Sequence, residues 1–137
     1  SPLDEISRDN VGTLQRAWSK PLSGGPLEII PLVHRGVMYL VTPGGRDGGS
    51  RVVALNAATG DTLSQQRIRG RFSTSPLIVD DKLLLINEDG LTYVVQSGER
   101  PEVLAENDLK ESVLATPAVL GGRLYFRTGE HLICIGR

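Results

Sequence analysis

A segment opening on proline occurs three times, and its spacing constrains the fold more than any other feature. Pro31–Leu40, Pro76–Leu85 and Pro117–Phe126 align without gaps, and the prolines stand 45 and then 41 residues apart (31 to 76, 76 to 117). A period of about 40–45 residues built from short strands is the mark of a β-propeller blade. Such a repeat cannot bury both faces of its own sheet, so neighbours must cover them. Function then has to be read from the assembled blades and not from one motif.

Within each repeat the proline opens a strand, a position where no ladder donor is lost. Arg35-Gly36, Asp80-Asp81 and Gly121-Gly122 follow as two-residue turns that close tight hairpins. Second strands are predicted at 37–42, 82–87 and 123–128, apolar on both faces as a sandwiched sheet requires. Third strands are predicted at 51–56, 91–96 and 131–135, and fourth strands at about 62–68 and 102–106. Gly60, closing the Ala57-Ala58-Thr59-Gly60 turn, is free to take positive φ. Upstream, Asp9 or Asn10 is placed to cap one or two helical turns carrying Val11 and Leu14. Ala17–Leu22 reads as a further strand.

The third repeat has no fourth strand before Arg137. Counting the strand at Trp18 gives three blades of four, so that strand is expected to supply the outer strand of the third repeat. The expected architecture is therefore all-β: one domain, 1–137, of four-stranded antiparallel propeller blades. Residues 1–30 form a lead-in and outer strand, 31–75 the first repeat, 76–116 the second and 117–137 the third, incomplete one. Propellers have typically four to eight blades. Three blades are thus part of a longer propeller, half of a six-bladed ring completed by a homodimer, or an open stack with exposed edges.

Charge and composition exclude several classes. The net charge is −1, with acids and bases interspersed, which gives no case for nucleic acid or an acidic membrane. No apolar run approaches the roughly 20 residues of a membrane span, and no signal peptide opens the sequence. Cys134 is the only cysteine, so no internal disulfide forms. With 16 glycines and 8 prolines, the sequence is as turn-rich as an all-β protein demands.

The stretch Ser1–Val11 with Leu14–Trp18, then Gly36-Val37-Met38-Tyr39 and Val52–Gly60, resembles the opening blades of quinoprotein alcohol dehydrogenases, which bind pyrroloquinoline quinone (PQQ). The match covers about residues 1–63. Phe72–Ile135 is more similar to non-enzymatic PQQ-like propellers, including periplasmic scaffold proteins of the outer-membrane assembly type. The resemblance implies an eight-bladed propeller carrying PQQ with calcium or a lanthanide on its axis, an Asp base and often an adjacent-cysteine ring. It implies a periplasmic or extracellular setting. Glu28 matches a glutamate that contacts the quinone in some members. The Cys-Cys pair is missing, and Ser64 stands where the family often places an inter-blade tryptophan.

Other candidate residues have plain structural readings. His34 and His131 are expected to be surface or turn histidines, since no metal-ligand spacing surrounds them. Cys134, between Ile133 and Ile135, is expected to be a buried inert thiol. Asp80-Asp81 and Glu88-Asp89-Gly90 fall at turns, where Asp bonds locally, and lack EF-hand spacing. Gly44–Ser50 reads as an expanded hairpin tip, without a phosphate-loop pattern. Arg67, Arg69 and Arg71 are expected along one solvated strand edge, available to an acidic partner. The sequence thus points to a non-catalytic propeller binding or scaffold module taking a protein partner or small polar ligand at its axis. The alternative is a piece or subunit of a PQQ-dependent alcohol or sugar dehydrogenase.

Overall fold

The computed structural model describes residues 6–22, 29–43 and 49–136. A 3₁₀ turn at Val11–Thr13 is followed by eleven strands. They are β1 (Leu32–His34), β2 (Val37–Thr42), β3 (Ser50–Asn56), β4 (Thr62–Ile68), β5 (Leu77–Val79), β6 (Lys82–Ile86), β7 (Leu91–Gln96), β8 (Glu102–Asp108), β9 (Ala118–Leu120), β10 (Arg123–Arg127) and β11 (Leu132–Ile135). All pairings are antiparallel between sequence neighbours. They give two four-stranded sheets, β1–β4 and β5–β8, and one sheet in which β9, β10 and β11 are the strands found among the described residues.

The hairpin turns explain why each repeat begins alike. Arg35 and Gly36 have φ of 49° and 77°, Asp80 and Asp81 47° and 62°, Gly121 and Gly122 57° and 72°. Positive φ at both central residues is the type I′ geometry whose twist matches the flanking strands. Asp tolerates it because its side chain bonds locally.

The sheets stack face to face. Tyr39, Val41, Val52 and Ala54 of the first sheet meet Leu83, Leu85, Tyr93 and Val95 of the second. The second sheet's other face carries Leu84 and Ile86, which pack with Val113 and Phe126 of the third unit. The second sheet is thus buried on both sides, which accounts for the uninterrupted apolar run Leu83–Ile86. The first sheet's far face holds a third cluster, Leu40, Val53 and Leu55.

Two expectations are corrected. Residues 17–22 are not the outer strand of the third sheet. They have no sheet pairing and lie instead against the first sheet. Trp18 Nε1–H donates to the Ala57 carbonyl at 3.1 Å, and its ring occupies the space over Gly60, whose φ is +78°. The third sheet is out of reach, on the far side of the second. Cys134 is exposed, not buried. It pairs with Tyr125 on the face of β11 that no sheet covers among the described residues, while Ile133 turns the opposite way, toward the second sheet. The sequence pattern identified the strand correctly; what it lacked was a neighbour on that side.

Candidate functional site

Polar side chains concentrate at two ends of the stack and along its inner edge. At the inner edge, the residue before each proline repeats one contact. Ile30 N–H donates to Ser75 Oγ at 2.9 Å, and Ser75 N–H donates to Thr116 Oγ1 at 2.8 Å. The inner strands of the first two blades are each hung on a hydroxyl of the next.

One end carries the β1–β2, β5–β6 and β7–β8 turns. There a cavity of about 460 Å³ lies between the first two sheets, lined by His34, Tyr39, Asp81, Lys82, Gln96 and Glu99 among others. His34 closes β1 directly before the Arg35-Gly36 turn and is half-buried. Its Nε2 lies 3.0 Å from Asp81 Oδ1, while Arg35 reaches the other oxygen of Asp81 at 3.0 Å. Tyr39, 1% exposed, donates its hydroxyl to the Gly98 carbonyl at 3.1 Å and accepts the Gly98 N–H at 2.7 Å. Burial pushes its phenol above its usual pKa, an effect the Gly98 bond opposes. Ser64 Oγ donates to the Glu99 carbonyl at 2.5 Å. The groups lining this cavity thus tie one blade's turn to the next.

The other end carries the β6–β7 and β10–β11 connections with the links into β5 and β9. Ser73 Oγ donates to Glu88 at 2.7 Å, and Arg71 approaches the same carboxylate at 3.9 Å. In the next unit Thr128 Oγ1 donates to Glu111 at 2.5 Å, and His131 Nδ1 sits 2.9 Å from that carboxylate. The Thr128 hydroxyl, and secondarily His131, hold the Glu111 carboxyl below its usual range. Nothing in the spacing of Glu111, Thr128 and His131 announced this cluster. The available signal is that Thr128 directly follows β10 as Asn87 directly follows β6.

A depressed carboxyl stabilises the folded state above its unfolded pKa and ceases to do so as pH falls through its folded value. The native chain is therefore expected to be more acid-labile than Glu111→Gln relative to their neutral-pH stabilities. The advantage of the native chain, present at pH 7, should shrink below about pH 4.5, the unperturbed value. Urea denaturation of both chains across pH 7 to pH 3 measures this.

Glu28, the candidate quinone contact, lies outside the described residues, as do positions 44–48 of the glycine-rich tip. Its counterparts one and two repeats on, Ser73 and Leu114, are a loop tie to Glu88 and an exposed apolar residue. Only Arg67 of the arginine row falls within β4; Arg69 and Arg71 lie in the following link and pair with Glu106 and Glu88. Among the described residues no group of three His, Cys, Asp or Glu side chains is placed to hold a metal ion. No described helix is long and apolar enough to cross a membrane.

Stacked antiparallel sheets with inter-blade ties at both ends define a module of β-propeller type. Residues 48–135 match the family described as outer membrane protein assembly factor BamB, and residues 1–76 the β-propeller domain of glucose/ethanol/alcohol dehydrogenases. The chain belongs to the PQQ-type β-propeller repeat family. Over 64 residues it is 44% identical to the dehydrogenase subunit of a quinone alcohol dehydrogenase from Gluconobacter oxydans, and 45% identical to that of Komagataeibacter europaeus. Each match covers 46% of this chain and 8% of the relative. The chain thus spans only a small part of the length of these relatives. Among solved structures, a europium-containing methanol dehydrogenase aligns at TM-score 0.68 and 19% identity, covering 95% of this chain and 25% of its own. BamB from Moraxella catarrhalis aligns at 0.58 and 21%, covering 78% and 34%. At these identities the structural matches establish the fold.

Proposed function

We propose that this chain is a non-catalytic propeller module that binds or scaffolds a partner, a protein or a small polar ligand, at the blade axis. The observation that carries the reading is how the chemistry-bearing side chains are used. His34–Asp81, Ser73–Glu88 and Glu111–Thr128–His131 each tie one loop or blade to another. A carboxylate engaged by two donors is a fastening and a poor general base. The family match over residues 48–135 supports the same reading. A periplasmic or extracellular setting accompanies it, by the same kinship.

The second reading is a piece of a PQQ-dependent alcohol or sugar dehydrogenase, favoured by the identity to quinone alcohol dehydrogenase subunits. Glu28 is then the residue toward the quinone. One titration separates the two. PQQ with Ca²⁺ is added while quinone absorbance and Trp18 emission are followed, and alcohol or sugar turnover is assayed with an electron acceptor. The scaffold reading expects no saturable change and no turnover. Saturable binding abolished in Glu28→Gln, or any turnover, replaces it with the dehydrogenase reading.

A further inference from the structure

The cavity of about 460 Å³ between the first two sheets is lined by residues between 34 and 99, so both of its walls belong to complete four-stranded sheets. Bonds between the two blades bracket it. His34 Nε2 and Asp81 Oδ1, 3.0 Å apart, close its inner side. Ser64 Oγ donates to the Glu99 carbonyl on its outer side. Tyr39 and the Gly98 backbone, joined by two hydrogen bonds, form its floor. Ser97 Oγ donates to the Asp81 carbonyl at 2.7 Å, which fixes the two turns of the second blade to each other. A Cβ on Gly98 would meet nothing within 4 Å, so the space beside that floor is open. The volume falls in the range of about 300–1,000 Å³ typical of small-molecule sites. Walls tied in this way are already ordered, which lowers the cost of binding.

These ties leave particular groups unused. A carboxylate only accepts, so the neutral His34 ring carries its proton on Nε2 and keeps a bare lone pair on Nδ1. Nδ1 has no partner among the described residues and is not a buried atom, so a ligand can reach it. The Asp80 and Glu99 carboxylates, also on the lining, have no partner among the described residues. Arg35 spends one terminal nitrogen on Asp81 and leaves the rest of its fork available. Val37 and Tyr39 supply an apolar wall beside these groups. Neither sign of charge dominates, because Arg35 and Lys82 stand against Asp80, Asp81 and Glu99. A plain anion would meet the carboxylates, and a plain cation would meet Arg35 and Lys82.

We propose that this inter-blade cavity binds a small zwitterion of the α-amino-acid class. Its carboxylate lies on the Arg35 fork and its ammonium on Asp80, Glu99 and His34 Nδ1. A short aliphatic side chain rests against Val37 and Tyr39. The site lies between blades and away from the blade axis, so it goes beyond the axial ligand of the scaffold reading. Its occupant touches turns of both blades and stabilises their junction by mass action.

The test titrates the isotope-labelled 137-residue chain with L-valine while the amide resonances of Gly36, Asp81, Gly98 and Glu99 are followed by NMR. Saturable shifts centred on these turns are expected, with a Kd in the millimolar range or tighter. Isobutylamine and isobutyrate each carry one of the two charges on a similar carbon chain. Both should bind at least about ten-fold more weakly, the worth of a lost charge-assisted hydrogen bond. Arg35→Gln and Glu99→Gln should each weaken valine binding by about the same factor, whereas Arg71→Gln, at the other end of the stack, should not. No saturable shift with valine overturns the proposal. So does isobutylamine or isobutyrate binding as tightly as valine, or a folded Arg35→Gln or Glu99→Gln chain that binds valine like the native one. The ligand comparison is made on the native chain, so it decides the matter even where a variant fails to fold. Quinone plays no part in it, so failure here is distinguishable from failure of the scaffold reading.

Discussion

Gly90→Ala is expected to destabilise the chain by about 2–5 kcal/mol, because two penalties fall on one residue. Gly90 ends the β6–β7 turn with φ +87°, a conformation in which a side chain adds about 1–2 kcal/mol of strain. A Cβ there also runs into the backbone carbonyl of Glu111. Backbone cannot rotate away as a flexible side chain can, so the link into the third sheet must shift, at an overpacking cost of about 1–3 kcal/mol. That link is held by Leu109 N–H to the Gly90 carbonyl at 3.2 Å and Val113 N–H to the Glu88 carbonyl at 3.1 Å. Both bonds lie on the seam between the second and third blades. Gly98→Ala is the comparison, since a Cβ there meets nothing within 4 Å. It should cost only the backbone strain. Urea denaturation of the three chains side by side measures the difference. Equal midpoints for the two variants would mean that the seam is not as close as described.

The strands were legible because their signals are local. Prolines at 31, 76 and 117, turn pairs and apolar runs set β1–β2, β5–β6 and β9–β10 within a residue or so of their observed bounds. The two-residue turns were readable as tight hairpins, although Arg35, at φ 49°, is not one of the residue types that favour positive φ. What was not legible is which element lies next to which. Trp18 was read as a strand for the third blade. Its actual place is decided by a carbonyl at Ala57 and bare space over Gly60, 39 and 42 residues downstream. Cys134 has the same alternating neighbours as a core residue, and only a fourth sheet would have buried it. Glu111, Thr128 and His131 converge through two loops that no spacing rule connects. The tie between Ser75 and Thr116 was visible in principle, because both precede a proline. Recognising it required knowing that consecutive inner strands lie side by side.

Phe126 and Tyr125 are neighbours in sequence, and replacing each by alanine should give opposite results. Phe126 is 3% exposed and packs with Leu84, Ile86 and Val113 between the second and third sheets. Truncating a buried phenylalanine costs about 3–5 kcal/mol, from lost transfer energy and the cavity left behind. The third sheet joins the stack through one face, so this loss falls on the contact that docks it. Phe126→Ala is therefore expected to lower the melting temperature by roughly 10 °C or more and to expose β9–β11 to proteolysis ahead of the first two sheets. Tyr125 points to the other side, 39% exposed, with its ring beside Cys134 and Leu132. Within one chain it has little to lose, and Tyr125→Ala should shift stability by about 0.5 kcal/mol. Thermal melts on both variants separate the residue that holds blade to blade from its outward-facing neighbour. If Tyr125→Ala unfolds the chain as Phe126→Ala does, the third sheet is buried on both faces within a single copy, and the stacking order described here is wrong.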